Sequence, residues 1–156
     1  RWRCGPLPMA PSRTRTGQGR ILNRYFGWDN YPGDLKKAEQ AMEGELEEWA
    51  ERFPGKPVIY TEYGADAVPG LHSIYQIPFT EEYQIHMIKM MSRVMESKDY
   101  VVGEQVWNFA DFETKVGVTR VQGNKKGAFS RNREPKMLAF WLEERWKAIP
   151  HFDYKA

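Results

Sequence analysis

Residues 57–66 read PVIYTEYGAD, a short apolar run that ends in a carboxylate between two tyrosines and stops at Gly64. β-Branched and aromatic residues bounded by proline and glycine are typical of a buried β-strand. A charged side chain at the end of such a strand costs free energy unless nearby groups compensate for it. Glu62 is therefore a candidate functional carboxylate, and the plain alternative is a carboxylate that only ties down a loop.

Two other stretches repeat this pattern of an apolar start and a polar, aromatic end. ILNRYFGW occupies residues 21–28 and YVVGEQVWNFADF occupies residues 100–112. Between the first two runs, Asp34 is a candidate N-cap and Pro54-Gly55 a helix stop. Apolar residues recur there every three or four positions, as on one face of a helix: Leu35, Ala38, Met42, Leu46, Trp49 and Phe53.

Two more helices are expected further along the chain. Residues 80–98 predict a helix with Thr80 as N-cap and a methionine-rich face that fills the core. A last helix is expected to carry Pro135 in its first turn. Its inward residues are predicted to be Leu138, Leu142, Trp146 and Ile149.

Strands that alternate with helices at this spacing predict parallel βα units. Three units are too few to close a barrel, so residues 21–152 are expected to form the last three or so βα units of a truncated (β/α)8 (TIM) barrel. Functional residues of that architecture lie at the carboxyl ends of the strands. The polar and aromatic side chains of all three runs follow the apolar part of each strand, at that end.

Three clusters of side chains would then face one another. Carboxylates can attack or protonate an anomeric centre, amides and tyrosines bond hydroxyl groups, and an indole covers an apolar sugar face. The pattern therefore indicates a carbohydrate site, and capping residues that only fix loops are the alternative. The clusters contain Asn23, Arg24, Tyr25 and Trp28; Glu62 and Tyr63; and Glu104, Trp107, Asn108 and Asp111.

A basic loop bracketed by glycines lies between the third strand and the last helix. TRVQGNKKGAF (119–129) places Arg120, Asn124, Lys125 and Lys126 within seven residues. Such a loop can hold an anion through side chains and backbone N–H groups, whereas a solvated turn is the alternative. The loop lacks the phosphate-binding pattern GxxxxGK[ST], which argues against a nucleoside triphosphate.

Composition excludes several classes of function. The chain of 156 residues has one cysteine, Cys4, so it can form no internal disulfide, and we expect a cytoplasmic protein. No run approaches the roughly 18 apolar residues of a membrane span. The three histidines, His72, His86 and His151, lack metal-ligand spacing, so neither a metal nor another cofactor is expected.

The first 20 residues differ from the rest because they hold five arginines and no acidic residue. The remainder balances 18 basic against 21 acidic residues, a net charge of −3, which does not support nucleic-acid binding. A transit-like peptide and a basic arm for an anionic partner are open interpretations of residues 1–20. We favour a disordered or non-native segment, because the composition changes abruptly at Ile21.

Several of these motifs, in this order and spacing, resemble the C-terminal part of β-glucuronidases of glycoside hydrolase family 2. The resemblance covers about Ile21 to about Ile149 and is most specific in GEQVWNFADF and NKKG. The other motifs that carry it are ILNRYFGW, VIYTEYGAD, GLHSIY, FTEEYQ and REPK.

The resemblance implies a role for seven residues. Glu62 matches the catalytic nucleophile of a retaining mechanism, which forms a covalent glycosyl-enzyme intermediate. Asn124 and Lys126 match a pair that recognises the sugar carboxylate, and Arg120 matches a basic residue of the same pocket. The residues that match the lining of the sugar site are Asn23, Tyr25 and Trp107. The implied ligand is a small glucuronide or a glucuronic-acid-bearing carbohydrate, and the parent enzyme could be a homo-oligomer.

The second carboxylic acid that a retaining glycosidase needs is not found in the sequence. In the family it belongs to an Asn-Glu-Pro motif, and no Asn-Glu dipeptide occurs here. Glu104 is the other strand carboxylate, but it precedes Trp107 by three residues, so we expect it deeper in the sheet. We therefore expect a fragment that is inactive on its own. Another specificity of family 2, such as a β-galacturonidase or β-galactosidase, and a truncated non-catalytic sugar-binding or interaction protein remain alternatives.

Overall fold

The structure, a computed structural model, describes residues 19–117, 120 and 122–150. Three strands alternate with three helices, and the strands form a parallel sheet in the order β1-β2-β3. The predicted βα units are therefore confirmed. In chain order the elements are β1 (Arg20–Asn23), α1 (Leu35–Arg52), β2 (Val58–Tyr63), α2 (Glu81–Glu96), β3 (Val101–Val106) and α3 (Met137–Ala148).

The first two helices begin at the predicted N-caps. The Asp34 side chain accepts a hydrogen bond from Lys37 N at 3.1 Å, and the Thr80 side chain accepts one from Tyr83 N at 3.2 Å. Each cap satisfies a backbone donor that the first turn leaves unpaired. Both helices bury most of their predicted faces against the sheet and against each other, including the residues Ala38, Met42, Leu46, Met87, Met90, Met91 and Val94. Phe53, which was predicted on the face of α1, instead follows the helix as its C-cap and is 37% exposed.

The last helix differs from the prediction in two ways. Its N-cap is Lys136, so Pro135 precedes the helix rather than lying in its first turn. Trp146 is 47% exposed, although we expected it to point inward. Arg145 takes the inward position instead, because its guanidinium pairs at 2.6 Å with both Glu96 and Glu104.

The two faces of the sheet have different environments. Leu22, Tyr60 and Val101 are buried beneath the helices, whereas Ile21 and Val102 on the opposite face are 69% and 50% exposed. Successive side chains of a strand point to opposite faces, which explains this contrast. None of the helices within the described ranges is long and apolar enough to cross a membrane.

Residues 1–18 and 151–152 lie outside the described residues, so the basic segment and the end of the predicted barrel portion stay predictions. Arg20 itself begins β1. Its backbone N donates to Pro57 O at 2.9 Å, and its guanidinium lies 4.3 Å from the centroid of the Trp49 ring.

Candidate active site

Glu62 lies near the carboxyl end of β2 and is half-buried. The ladder between β2 and β3 is irregular between Tyr60 and Tyr63, and the Cα atom of Glu62 pairs with Asn23 of β1 after a register shift. Such irregularities change the direction of a side chain relative to the regular alternation of a strand. The local backbone therefore departs from regular strand geometry at the candidate carboxylate.

Tyr25 contacts this carboxylate directly. The phenol Oη donates to Glu62 Oε2 at 2.9 Å. Burial raises the pKa of Tyr25, and the hydrogen bond to Glu62 and its negative charge raise it further. The phenol therefore stays protonated at neutral pH, where it holds one oxygen of Glu62 in place.

Asn23 ends β1 and Trp107 directly follows β3, the two strands on either side of the one that carries Glu62. The exposed Asn23 accepts a hydrogen bond from Thr61 Oγ1 through Oδ1, at 2.7 Å. Trp107 N donates to Tyr63 O at 2.9 Å, just after β3, and its peptide bond to Asn108 is cis. Gly64 permits this approach, since a Cβ atom there would lie 2.3 Å from the carbonyl oxygen of Trp107.

The basic loop forms a second group of polar side chains. The Lys126 N–H donates to Asn124 Oδ1 at 2.9 Å, and both residues are buried. Because a backbone N–H needs an acceptor, this bond fixes which end of the amide is oxygen. The amide of Asn124 can thus present its NH2 donors to an anion.

Asp66 joins the two cations of this loop. Its Oδ2 atom accepts a hydrogen bond from Lys126 Nζ and lies 3.5 Å from Arg120 Nη1. Its Oδ1 atom accepts a hydrogen bond from Lys125 N at 2.6 Å. The loop is therefore held to the segment that follows β2 by one buried carboxylate.

The environment of Lys126 is partly aromatic. Nζ lies 4.9 Å from the centroid of the Trp28 ring and 5.4 Å from that of the Tyr25 ring. Burial lowers the pKa of Lys126, and the bond and charge of Asp66 oppose that shift. Tyr25 thus contacts Lys126 with its ring and Glu62 with its hydroxyl.

Lys136 offers an informative comparison, because it also pairs with a buried aspartate. Its ammonium donates to Asp111 Oδ1 at 3.0 Å, Ala67 O at 3.0 Å and Lys125 O at 2.8 Å. An ammonium has three N–H donors, so Lys136 uses all of them. For the ammonium of Lys126, Asp66 is the single hydrogen-bond acceptor among the residues that the structure describes, which leaves donors for a ligand.

The remaining cluster residues serve the scaffold. Glu104 pairs with Arg145 at 2.6 Å and accepts a hydrogen bond from the buried Tyr63 Oη at 3.1 Å, which agrees with its expected position deeper in the sheet. Arg24 pairs with Glu45 of α1 at 2.7 Å. Asn108 Nδ2 donates to Ala110 O at 2.9 Å.

The structure brings Glu62 and Tyr25 into contact, and it places Asn124, Lys126 and Arg120 in one loop. Sequence reasoning missed Asp66, although this carboxylate ends the same VIYTEYGAD stretch and lies just beyond β2. It also missed the buried Gln84 of α2, whose Nε2 donates to Ala65 O at 2.9 Å and to carbonyls of the basic loop. A glutamine on the inward face of a methionine-rich helix is the signal that could have identified it.

In the part of the chain that the structure describes, no group of three histidine, cysteine, aspartate or glutamate side chains is arranged to hold a metal ion. The chemistry available at the strand ends is that of a half-buried carboxylate, a phenol, an amide and two cations. Such a set suits an anionic carbohydrate.

Comparison with known proteins gives a consistent picture. The family described as "Glycosyl hydrolases family 2, TIM barrel domain" matches residues 10–151. The β-glucuronidase of Streptococcus agalactiae is 54% identical over 134 residues, covering 86% of this chain and 22% of the relative. The β-glucuronidase of Homo sapiens is 43% identical over 129 residues, covering 81% and 20%.

Solved structures agree with these sequence relatives. The Dictyoglomus thermophilum β-D-glucuronidase matches with a TM-score of 0.82 and 52% identity, over 86% of this chain and 23% of that one. The Bifidobacterium dentium β-glucuronidase, complexed with coumarin-3-O-glucuronide, matches with a TM-score of 0.82 and 46% identity, over 86% and 22%. The resemblance seen in the sequence and the partial barrel fold are confirmed. The chain spans about a fifth of the length of the curated relatives, 22% and 20% in the two cases above.

Proposed function

The chain belongs to glycoside hydrolase family 2, whose TIM-barrel domain it matches, and we propose that it forms part of the active site of a longer retaining β-glucuronidase. In this proposal Glu62 is the nucleophile. Asn124, Lys126 and Arg120 recognise the carboxylate at C6 of the sugar, and Asn23, Tyr25 and Trp107 line the sugar site.

The proposed reaction has two displacements. A carboxylate oxygen of Glu62 bonds to the anomeric carbon while the bond to the leaving oxygen breaks, and a general acid gives that oxygen a proton. Water then attacks the anomeric carbon, loses a proton to the same acid residue, and releases Glu62. Tyr25 supports this role, because its hydrogen bond holds the carboxylate in one orientation.

One observation carries the specificity for a glucuronide: Lys126 is buried and, within the described residues, its ammonium donates a hydrogen bond to Asp66 alone. A uronic acid would supply the second acceptor through a charge-assisted hydrogen bond. A neutral hexoside offers only a hydroxyl acceptor at C6 and leaves the charge of Lys126 without a partner, which disfavours it. The Tyr25 ring links this lysine to the hydroxyl that holds Glu62.

The general acid is proposed to come from another part of the longer protein. The relatives are about five times as long as the matched region, since it covers 22% of the Streptococcus agalactiae enzyme. We therefore expect the 156-residue chain to be inactive on its own.

The test uses a hybrid enzyme, in which residues 19–150 replace the matching segment of the Streptococcus agalactiae β-glucuronidase. The hybrid should cleave p-nitrophenyl β-glucuronide, and Glu62→Gln should reduce turnover by at least about 1,000-fold, since the glycosyl-enzyme can no longer form. A 2-deoxy-2-fluoro-glucuronyl fluoride should label Glu62 covalently, as read by peptide mass spectrometry.

Glu104→Gln is the matched control, because this carboxylate lies on the neighbouring strand and bonds Arg145. It should retain turnover. Label on another residue, or unchanged turnover in the Glu62→Gln hybrid, would contradict the assignment. A faster reaction on the galacturonide would favour the alternative specificity, and an inactive hybrid that folds would favour a non-catalytic role.

A further inference from the structure

We propose that Asp66 is a specificity-determining positioning residue, which holds Lys126 and Arg120 in place for the C6 carboxylate of the substrate. This inference rests on the proposed function. Asp66 would not touch the reacting atoms, so it acts through the two cations that it pairs with.

The geometry of Asp66 supports this role. The residue is 2% exposed, and both carboxylate oxygens are engaged by the basic loop. Oδ1 accepts from Lys125 N at 2.6 Å, while Oδ2 accepts from Lys126 Nζ and lies 3.5 Å from Arg120 Nη1. One side chain thus fixes the backbone of the loop and the head groups of both cations. Since Asp66 follows β2 by three residues, it also ties the loop to the strand that carries Glu62.

The charges lead to the same conclusion. Within this ion-paired group of three, Lys126 and Arg120 contribute two positive charges and Asp66 one negative charge, a net charge of +1, and the charge of Asp29 also acts on Lys126. Without Asp66, two cations of like charge would share a site in which Lys126 is 3% exposed. Like charges in a desolvated site repel strongly, so both head groups would separate and lose their common orientation.

The protonation of Lys126 gives a separate readout. Burial and the positive charge of Arg120 lower the pKa of Lys126, whereas Asp66 and the charge of Asp29 raise it. Tyr25 and Trp28 face the ammonium with their rings. Removing the charge of Asp66 should therefore lower the pKa of Lys126 further. The ammonium would then be lost at a lower pH than in the unsubstituted protein.

The experiment compares Asp66→Asn with Asp111→Asn in the hybrid enzyme. Asp111 is the matched control, because it is an equally buried aspartate paired with a lysine, and it accepts from Gly127 N of the same loop at 3.0 Å. The substrates are p-nitrophenyl β-glucuronide and p-nitrophenyl β-glucoside, which differ only at C6. Binding is measured separately as inhibition by glucaro-1,5-lactone and by glucono-1,5-lactone, which differ in the same way.

Asp66→Asn should reduce kcat/KM on the glucuronide by at least about 30-fold, mostly through KM, since it breaks a buried charged pair that organises binding. The loss on the glucoside should stay below about threefold. The variant should bind the glucaro-lactone more weakly and the glucono-lactone as before. In the pH profile of kcat/KM, the alkaline limb should move to lower pH for the glucuronide but not for the glucoside. Asp111→Asn can lower the amount of folded enzyme but should leave the preference and the pH profile unchanged.

Equal losses on both substrates, or the same change in preference for Asp111→Asn, would overturn the positioning role and leave Asp66 a structural residue. If the Asp66→Asn hybrid does not fold, Asp66→Glu tests the same point. This variant keeps the charge and moves the carboxylate by one methylene. It should weaken the preference for the glucuronide several-fold without moving the alkaline limb of the pH profile of kcat/KM. An unchanged preference would refute the inference. An unsubstituted hybrid that folds but lacks glucuronidase activity would instead refute the proposed function.

Discussion

Replacing Lys126 with methionine removes the cation of the proposed carboxylate site while keeping much of the volume of the side chain. Lys126 is buried, pairs with Asp66 and faces the rings of Tyr25 and Trp28. Its loss has two consequences. The substrate carboxylate loses a charged donor, and Asp66 keeps only Lys125 N and the more distant Arg120 as partners among the described residues.

The size of the effect follows from these contacts. Truncating one partner of a buried, hydrogen-bonded charge pair costs about 2–5 kcal/mol, which corresponds to a loss of about 30- to 4,000-fold in kcat/KM. We expect the upper half of this range for the glucuronide, because the uncompensated Asp66 also repels the substrate carboxylate. The glucoside has no C6 charge, so it should change by less than about threefold.

The assay is the ratio of kcat/KM for p-nitrophenyl β-glucuronide and p-nitrophenyl β-glucoside, measured in the hybrid enzyme. Lys125→Met is the matched control, because Lys125 is the preceding residue of the same loop and its described hydrogen bonds are made by its backbone N–H and carbonyl groups. The double variant Lys126→Met/Asp66→Asn removes the repulsion as well. It should recover part of the glucuronide activity that Lys126→Met loses, which a double-mutant cycle would measure as coupling.

A similar loss on both substrates would show that Lys126 supports the fold of the loop rather than the recognition of a carboxylate. An equally large fall of this ratio in Lys125→Met would also contradict a specific role for Lys126, because it would assign the effect to the charge of the loop as a whole.

Two further changes test the scaffold of the site. In Gly64→Ala the new Cβ atom would lie 2.3 Å from the carbonyl oxygen of Trp107, so the backbone must shift. Turnover of both substrates should therefore fall at least about tenfold. The control is Gly44→Ala in α1, where the Cβ atom meets nothing within 4 Å, and its effect on stability should be neutral or slightly favourable. Lys136→Met leaves a fully buried carboxylate without its counter-charge, at a cost of about 3–5 kcal/mol. Lys136→Met should clearly lower the thermal unfolding midpoint of the hybrid. The control Lys147→Met should not, because the side chain of Lys147 is 73% exposed. Equal midpoints for the two lysine variants would contradict a stabilising role of the buried pair.

The fold was largely predictable because the helix-capping residues and the spacing of the apolar residues indicate the same elements. Asp34 and Thr80 cap the two helices as their positions next to apolar faces predict, and the methionines of α2 fill the core. The prediction failed at α3, where apolar spacing favoured Trp146 as an inward residue. Periodicity alone could not show that Arg145 has two acidic partners on other elements, Glu96 and Glu104.

The site was only partly predictable from the same information. The position of Glu62 at a strand end followed from the sequence, but its contact with Tyr25 joins two segments 37 residues apart, next to a register shift between β1 and β2 that the sequence does not indicate. Asp66 was missed because its importance comes from a loop 59 residues further along the chain, whose backbone and cations it binds. No spacing rule connects these two segments.

The sequence cannot predict the different roles of Lys126 and Lys136. Each is a buried lysine near the same strand ends, and each pairs with a buried aspartate. What separates them is how many of their three N–H donors the protein uses. Backbone carbonyls and Asp111 take all the donors of Lys136, which makes it a structural cation, whereas Lys126 faces two aromatic rings and, in the described residues, one acceptor. A buried donor without an acceptor costs free energy, and the cost is larger for a charged group such as an ammonium. We therefore expect the unused donors of Lys126 and its positive charge to act together in selecting an anionic sugar.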